Sequence, residues 1–384
     1  MKEKRILFVG TAFPPAKAGS AVVMRELLKR LDKNSYKVIA MASDGISEDM
    51  DFESRTLRIG SRMGWARRFS LLLRMINIIF LYRRSRKFAE TFSPEVIVAP
   101  YPSLDFLLLG GLLARSLHIP FVPYLHDTIF EASEKGRARK LAYAVQRFVF
   151  KNAARILVMS EGMVDLYKRK YGLNAVAIPH IYDEGDNFVN QNIDKTERGA
   201  FWAGGVYGIN DKALKRVYDG IVDAGLKFKV TSRESRAHLA SLGISGDNVE
   251  ICTLPTRSEY LSCLQSQGVL ILALNRPDES RIGSDELATI FPTKTPEYLA
   301  SGRPILVHCP EDYFLARFFK KHKCGLVVSD KTKEFLAQSL VSLLLDTEEI
   351  RDMGRKAKEL ATMFSSKIVV EKFLEVITDV ATSR

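Results

Sequence analysis

The sequence predicts an α/β protein of two Rossmann-like, doubly wound parallel-sheet domains facing each other across a cleft. Three observations predict it. Short apolar runs alternate with helical stretches along the whole chain, which is the pattern of β-α-β units with parallel strands. The pattern stops in a polar, aperiodic segment, DEGDNFVNQNIDKTERG (183–199), and then restarts. A chain of 384 residues also exceeds what one core usually serves. The expected domains are residues 1–190 and 191–365, with a last helix in 366–384 packing back on the first.

The first domain opens with an apolar strand, Arg5–Gly10. The loop TAFPPAKAGS follows, and Ser20 suits the cap of a helix reaching about Leu31, with Val22, Val23, Leu27, Leu28 and Leu31 as its apolar stripe. Tyr36–Ala42 is the second strand, 43–60 is loop with room for an edge strand, and 65–90 is helical. Strand Glu95–Ala99, helix Leu104–Leu117, strand Pro120–Leu125, helix 137–152 and strand Arg155–Met159 complete this half. Strands of the second half are Gly199–Ala203, Lys227–Thr231, Val249–Cys252, Val269–Leu274, Ile305–Val307 and Gly325–Val328. Helices are expected over 210–224, 234–242, 257–266, 332–345, 348–363 and 366–378.

One further helix lies in FPTKTPEYLASGRPILV (291–307). Thr295 is a good N-cap, Pro296 loses nothing at the first helical position, and Gly302 with Pro304 ends the element. Lys294 and Glu297 then share a helix N-terminus, where backbone N–H groups concentrate partial positive charge. A nucleotide sugar needs such a pairing: an anion site for its diphosphate and an acceptor for its ribose hydroxyls. The plainer reading of Glu297 is a first-turn helix acid, and that of Lys294 a solvated loop lysine.

Charge is uneven. Residues 1–180 hold 30 Lys/Arg against 16 Asp/Glu, whereas the remainder hold 27 against 29. An acidic partner for the first half follows, such as an anionic membrane surface or a phospholipid-linked substrate. The segment RMGWARRFSLLLRMINIIFLYRRSRKF (62–88) concentrates the effect, with Arg67, Arg68, Arg83 and Arg84 flanking apolar residues as in a basic amphipathic helix. A domain helix with one face on the sheet and basic ends in water explains it equally. Nucleic acid is not an expected partner, because no recognised module accompanies the basic residues. Four cysteines without CxxC or His spacing read as reduced thiols in a cytoplasmic protein, and no opening signal peptide or long apolar span stands out. Gly10 and Gly19 are nine apart, so the first loop is not the G-x-G-x-x-G of a dehydrogenase.

FPPAKAGS, YLHD, ARILVMSEGMVDLYKRKYG, IPHIYDE and above all PTKTPEYLASGRPILV together resemble GT-B-fold glycosyltransferases of the large retaining family four, over almost the whole chain. The resemblance implies transfer of a sugar from a nucleotide-diphosphate sugar to a hydroxyl of a glycan or lipid-linked acceptor, with retention and without metal or other cofactor. It implies surface polysaccharide or glycolipid synthesis on the inner face of the membrane. Position by position, Glu297 matches the second glutamate of E-x7-E, which binds the donor ribose, and Lys294 belongs by the donor diphosphate. Gly19 and Ser20 stand where the family has Gly-Gly, and His126 matches the histidine beside the transferred sugar. Thr253, Leu254 and Pro255 fall at the turn lining the nucleobase pocket. Two positions depart from the family. Thr289 replaces the first glutamate, with Asp285 and Glu286 nearby at another offset, and the loop GGVYGIND lacks the usual Arg and Lys. A non-catalytic sugar- or partner-binding protein of the same fold is therefore the alternative.

The chemistry those residues would serve is simple to state. The departing diphosphate must be stabilised, the anomeric carbon passes through an oxocarbenium-like state, and the acceptor hydroxyl loses a proton. His126 closes a strand at the carboxyl edge where α/β sheets bind ligands. Ser160 and Glu161 read mainly as a cap of the next helix. His118, His180, His238, His308 and His322 have no assigned role.

Overall fold

Strands that are apolar throughout, such as ILFVG (6–10) and FVPYL (121–125), must be covered on both faces, and in the structure they are. The structure, a computed structural model, describes residues 4–16, 19–42, 49–60, 71–133, 137–182, 197–232, 234–253, 256–345 and 347–383. The chain forms two compact units, residues 1–181 with 366–384, and residues 182–365.

Unit 1 runs β1 (Ile6–Gly10), α1 (Gly19–Leu28), β2 (Tyr36–Met41), α2 (Met50–Ser54), β3 (Thr56–Ile59), α3 (Leu71–Phe92), β4 (Val96–Pro100), α4 (Leu104–Leu117), β5 (Phe121–Leu125), α5 (Arg137–Asn152), β6 (Ile156–Val158), α6 (Glu161–Tyr171) and β7 (Ala175–Ala177). Its seven strands lie in the order β3-β2-β1-β4-β5-β6-β7, all pairs parallel. The order reverses between β1 and β4, which marks the topological switch point. The edge strand for which 43–60 left room is β3.

Unit 2 runs β8 (Glu197–Ala203), α7 (Asp211–Asp223), β9 (Lys227–Thr231), α8 (Arg236–Ser241), β10 (Val249–Cys252), α9 (Arg257–Ser266), β11 (Gln267–Ala273), α10 (Ser284–Thr289), α11 (Thr295–Ser301), β12 (Ile305–His308), α12 (Phe314–His322), β13 (Leu326–Val328), α13 (Lys333–Leu343) and α14 (Glu348–Ala361). Its strand order is β10-β9-β8-β11-β12-β13, again parallel, with the switch point between β8 and β11. The last helix, α15 (Ser366–Thr382), belongs to unit 1, where Phe373 stacks on Phe8 at 6.3 Å.

Several boundaries differ from the sequence reading. The first helix closes at Leu28 rather than Leu31, because the N–H groups of Arg30 and Leu31 turn back to carbonyls three residues earlier. Ser20 lies inside its first turn, not at the cap. In the 291–307 stretch the cap is Lys294, whose carbonyl accepts the first helical bond from Tyr298 at 3.0 Å. Thr295 is fully buried one position later, and its hydroxyl has no partner among the described residues. Gly302 does end the helix, in the left-handed region at φ 67. Its carbonyl sits so close to Gly354 of α14 that a Cβ there would approach it to 2.4 Å, so α14 buttresses the short helix α11. Strand β7 and helices α2, α10 and α12 are additions. Residues 61–70, which include Arg67 and Arg68, and the pair Leu254–Pro255 lie outside the described residues.

Candidate active site

Both units present candidate residues at the carboxyl ends of their strands. In unit 1, β1 leaves the sheet at Gly10, where a Cβ would stand 2.9 Å from Pro100, so the exits of β1 and β4 touch at the switch point. At Gly19, the first residue of α1, a Cβ would meet nothing within 4 Å, so packing within the chain does not require the glycine. Ser20 is half-buried beside it.

His126 follows β5 directly. It is 9% exposed, packs edge-on against the Tyr124 ring at 4.5 Å, and buries both ring nitrogens without a hydrogen-bond partner among the described residues. Burial first, and the nearby His180 second, push its pKa down to about 3. The imidazole is therefore neutral, with one nitrogen to donate and one to accept. His180, which has no assigned role in the sequence reading, lies after β7 as His126's charge-repelling neighbour. Tyr124 is fixed in turn by its hydroxyl, which donates to the Ile178 carbonyl at 2.6 Å. Ser160 caps α6 by accepting from the Met163 N–H at 3.2 Å. Arg83 and Arg84 are exposed on α3.

In unit 2, Lys294 and Glu297 share the start of α11 but turn to different elements. The Lys294 ammonium donates to the Ala203 carbonyl at 2.7 Å, at the exit of β8, and lies 3.0 Å from the centre of the Trp202 indole. Tyr298 locks the same strand end: its hydroxyl oxygen accepts the Ala203 N–H at 3.0 Å. Burial holds the lysine pKa well below its ordinary range, and no carboxylate pairs with it among the described residues. Glu297, 8% exposed, points to α9 instead. One carboxylate oxygen pairs with the Arg257 guanidinium at 2.5 Å and the other accepts the Tyr260 hydroxyl at 2.9 Å.

The start of α9 is rigid for a local reason. Thr256 accepts from the Glu259 N–H at 3.2 Å while Glu259 accepts from the Thr256 N–H at 2.9 Å, a reciprocal capping box. Tyr260, its pKa raised well above the usual phenol value by burial and by Glu297, remains a neutral donor. Thr253, just after β10, is exposed. Thr289 ends α10, buried, with its hydroxyl donating to the Glu286 carbonyl at 2.9 Å. Glu286, one turn earlier on the same helix face, is a buried carboxylate. Arg257, Tyr260 and His180 are thus site neighbours that sequence reasoning missed. The capping box spelled TRSE (256–259) was a signal for the helix start but not for its partner. Among the described residues no group of three or more His, Cys, Asp or Glu is placed to hold a metal ion. Nor is any helix among them long and apolar enough to cross a membrane.

A second histidine is held neutral in unit 2. His308 donates from Nδ1 to the Val328 carbonyl at 2.9 Å and accepts at Nε2 from Arg216 at 3.0 Å. Burial, then Arg216, push its pKa down to about 4. Both histidines therefore titrate near 6.5 in the unfolded chain but lower in the folded one. Their stabilisation is complete above pH ~6.5 and is lost as pH falls, because the unfolded chain takes up protons the folded chain refuses. The expected result is a urea midpoint that falls steadily from pH 7 to pH 5, by about 1–3 kcal/mol of stability per pH unit. A midpoint that stays level over that range would contradict the burial of these rings.

Solved structures share this architecture at low identity. A glycosyltransferase from Rickettsia africae ESF-5 matches with a TM-score of 0.72 and 12% identity over 100% of both chains. Anabaena HepE (Alr3699), in complex with UDP, matches at 0.71 and 12% identity over 98% of this chain and 100% of that one. Sucrose-phosphate synthase from Thermosynechococcus elongatus matches at 0.67 and 15%, over 99% and 100%. No curated protein matches the chain in sequence. The two parallel sheets and their neighbours define the GT-B class. Residues 18–179 match the family model described as glycosyl transferase 4-like domain, and the chain is a glycosyltransferase.

Proposed function

We propose that the protein transfers a sugar from a nucleotide-diphosphate sugar to a hydroxyl of a glycan or lipid-linked acceptor, with retention and without a resident metal. The product belongs to a cell-surface polysaccharide or glycolipid, and the reaction takes place in the cytoplasm at an anionic membrane surface. Unit 2 holds the donor: Glu297 takes the ribose hydroxyls, Lys294 the diphosphate, and Thr253 with Leu254 and Pro255 the base. Gly19 and Ser20 of unit 1 let backbone approach the phosphate or acceptor, and neutral His126 hydrogen-bonds the transferred sugar. Thr289 lies beside the donor but supplies no charge. The bond from the anomeric carbon to the diphosphate breaks, and the departing oxygen keeps the electron pair. The acceptor oxygen bonds to that carbon from the same face, and its proton passes to the departing phosphate.

One observation carries this reading. Lys294 draws an ammonium out of water without a carboxylate partner among the described residues, at the exit of the strand beside the switch point. Such a desolvated charge is costly unless an anion completes it, and perturbed cations at strand ends concentrate at functional sites. That structures of the fold neighbour HepE hold UDP and UDP-glucose supports a nucleotide donor. The test is a thermal-shift screen with UDP, GDP, ADP and their sugars. One diphosphate should raise the melting temperature, since a ligand that binds only the folded state at a hundred times its Kd adds about 2.7 kcal/mol. A flat response to every nucleotide would remove the donor site.

A further inference from the structure

Unit 1 covers its sheet with a layer of helices on each side, and the two layers differ in charge. Strand register shows which helices share a side. Phe8 is paired with Val98 and stacks on Phe373 of α15. The alternate residues Ile97 and Ala99 point the other way and, with Phe121, are the side chains nearest Gly110 of α4. Hence α4 and α15 lie on opposite faces. Helices α3 and α5 both pack on α4, and α6 packs on α5 through Phe150 against Tyr167 at 5.3 Å and Gln146 against Tyr171 at 2.9 Å. Right-handed crossovers require the same: β3 to β7 proceed in one direction across the sheet, whereas β1 to β3 proceed in the other and carry α1 and α2 on the far side.

The layer α3–α6 carries 14 Lys/Arg against 4 Asp/Glu, and the opposite layer, α1, α2 and α15, carries 3 against 6. One of the four acids, Asp105, is buried and so does little to screen the surface. Arg83, Arg84, Lys140, Arg147 and Lys151 are exposed and pair with no carboxylate among the described residues. Two large apolar side chains stand exposed among them, Ile79 at 53% and Tyr143 at 46%. We propose that the α3–α6 layer is a docking face for a bilayer containing acidic phospholipid. A broad helical layer with cations spread over it and an isolated aliphatic and a phenol between them fits a flat anionic interface, where charge and apolar tips are both accommodated. It is less suited to nucleic acid, which binds along a groove with stacked aromatics. The inference rests on the reading of a lipid-linked acceptor and names the surface that meets its membrane. It extends well beyond the basic segment visible in the sequence, since α5 and α6 supply eight of the cations.

The test is co-sedimentation of the full chain with phosphatidylcholine vesicles, with and without roughly one-third phosphatidylglycerol. The protein should pellet only with the acidic vesicles and be released by salt. Arg84→Glu/Arg147→Glu/Lys151→Glu should lower partitioning by on the order of a hundredfold or more. Lys367→Glu/Lys372→Glu, on the opposite layer, should leave it within about twofold. Circular dichroism establishes that both variants are folded. Equal pelleting with neutral vesicles, equal losses in both variants, or retention on single-stranded RNA with none on acidic vesicles would each overturn the proposal. The assay uses no nucleotide, so the docking face and the donor site stand or fall separately.

Discussion

Lys294→Met is expected to lower kcat/KM for the nucleotide sugar by about two to three orders of magnitude while leaving the melting temperature of the free protein unchanged or higher. The first half of that expectation comes from charge. Negative charge grows on the diphosphate as the glycosidic bond breaks, and a preorganised cation in a site that excludes water stabilises it far more than one in solvent. The second half comes from desolvation. The ammonium rests on Trp202 with only a carbonyl as acceptor, and burial opposes its charge. Methionine has nearly the same length and volume, keeps the contact with the indole and removes the buried charge, at the loss of one hydrogen bond of about 1 kcal/mol. A residue whose removal costs turnover but not stability is one kept for function. Unaltered turnover, or a variant that unfolds, would show Lys294 to be a structural strut of β8 instead.

Glu297→Gln is expected to weaken the stabilising nucleoside diphosphate by about ten- to a hundredfold, because hydrogen bonds to a charged acceptor are worth about 1.5–3 kcal/mol. At a nucleotide concentration that gives the wild type about 2.7 kcal/mol, a hundredfold loss leaves only about 0.4 kcal/mol, so most of the thermal shift disappears. Glutamine keeps the size of the side chain and an oxygen for Tyr260, but it cannot balance Arg257. Some loss of stability in the free protein is therefore expected as well, and affinity must be read from titrations on folded protein. The fixed partners matter here. Arg257 and Tyr260, locked by the capping box of α9, hold the carboxylate in one orientation before a ligand arrives.

Local signals explain which elements were legible in the sequence. Helix α4 matches its expected span, with Ser103 at the N-cap position before it and His118 in the left-handed conformation after it. Helix α9 and strands β9 and β10 also match, the helix because a capping box sits at its start. By contrast, β7 is three residues long and α10 six, both too short for periodicity to show. The site divides the same way. The placement of Lys294 and Glu297 at the start of a short helix was legible, yet the turn of each side chain was not. Ala203 is 91 residues from Lys294 and Arg257 is 40 from Glu297. Only the folded sheet with its helices packed on it brings such residues together. Both residues start α11, but Lys294 reaches to the exit of β8 and Glu297 to α9. The excess charge of the first half was legible as a sum, while its concentration on one helical layer follows from crossover handedness.

The most direct test of the account is calorimetric titration of the nucleoside diphosphate that gives the largest thermal shift, beside its 2′,3′-dideoxy analogue, into the wild type and Glu297→Gln. If Glu297 holds the ribose, the wild type should bind the dideoxy analogue at least about tenfold more weakly, and the variant should bind both with the same reduced affinity. Equal affinity of the wild type for the two ligands would contradict the account. So would a variant that still prefers the natural ribose by the full factor.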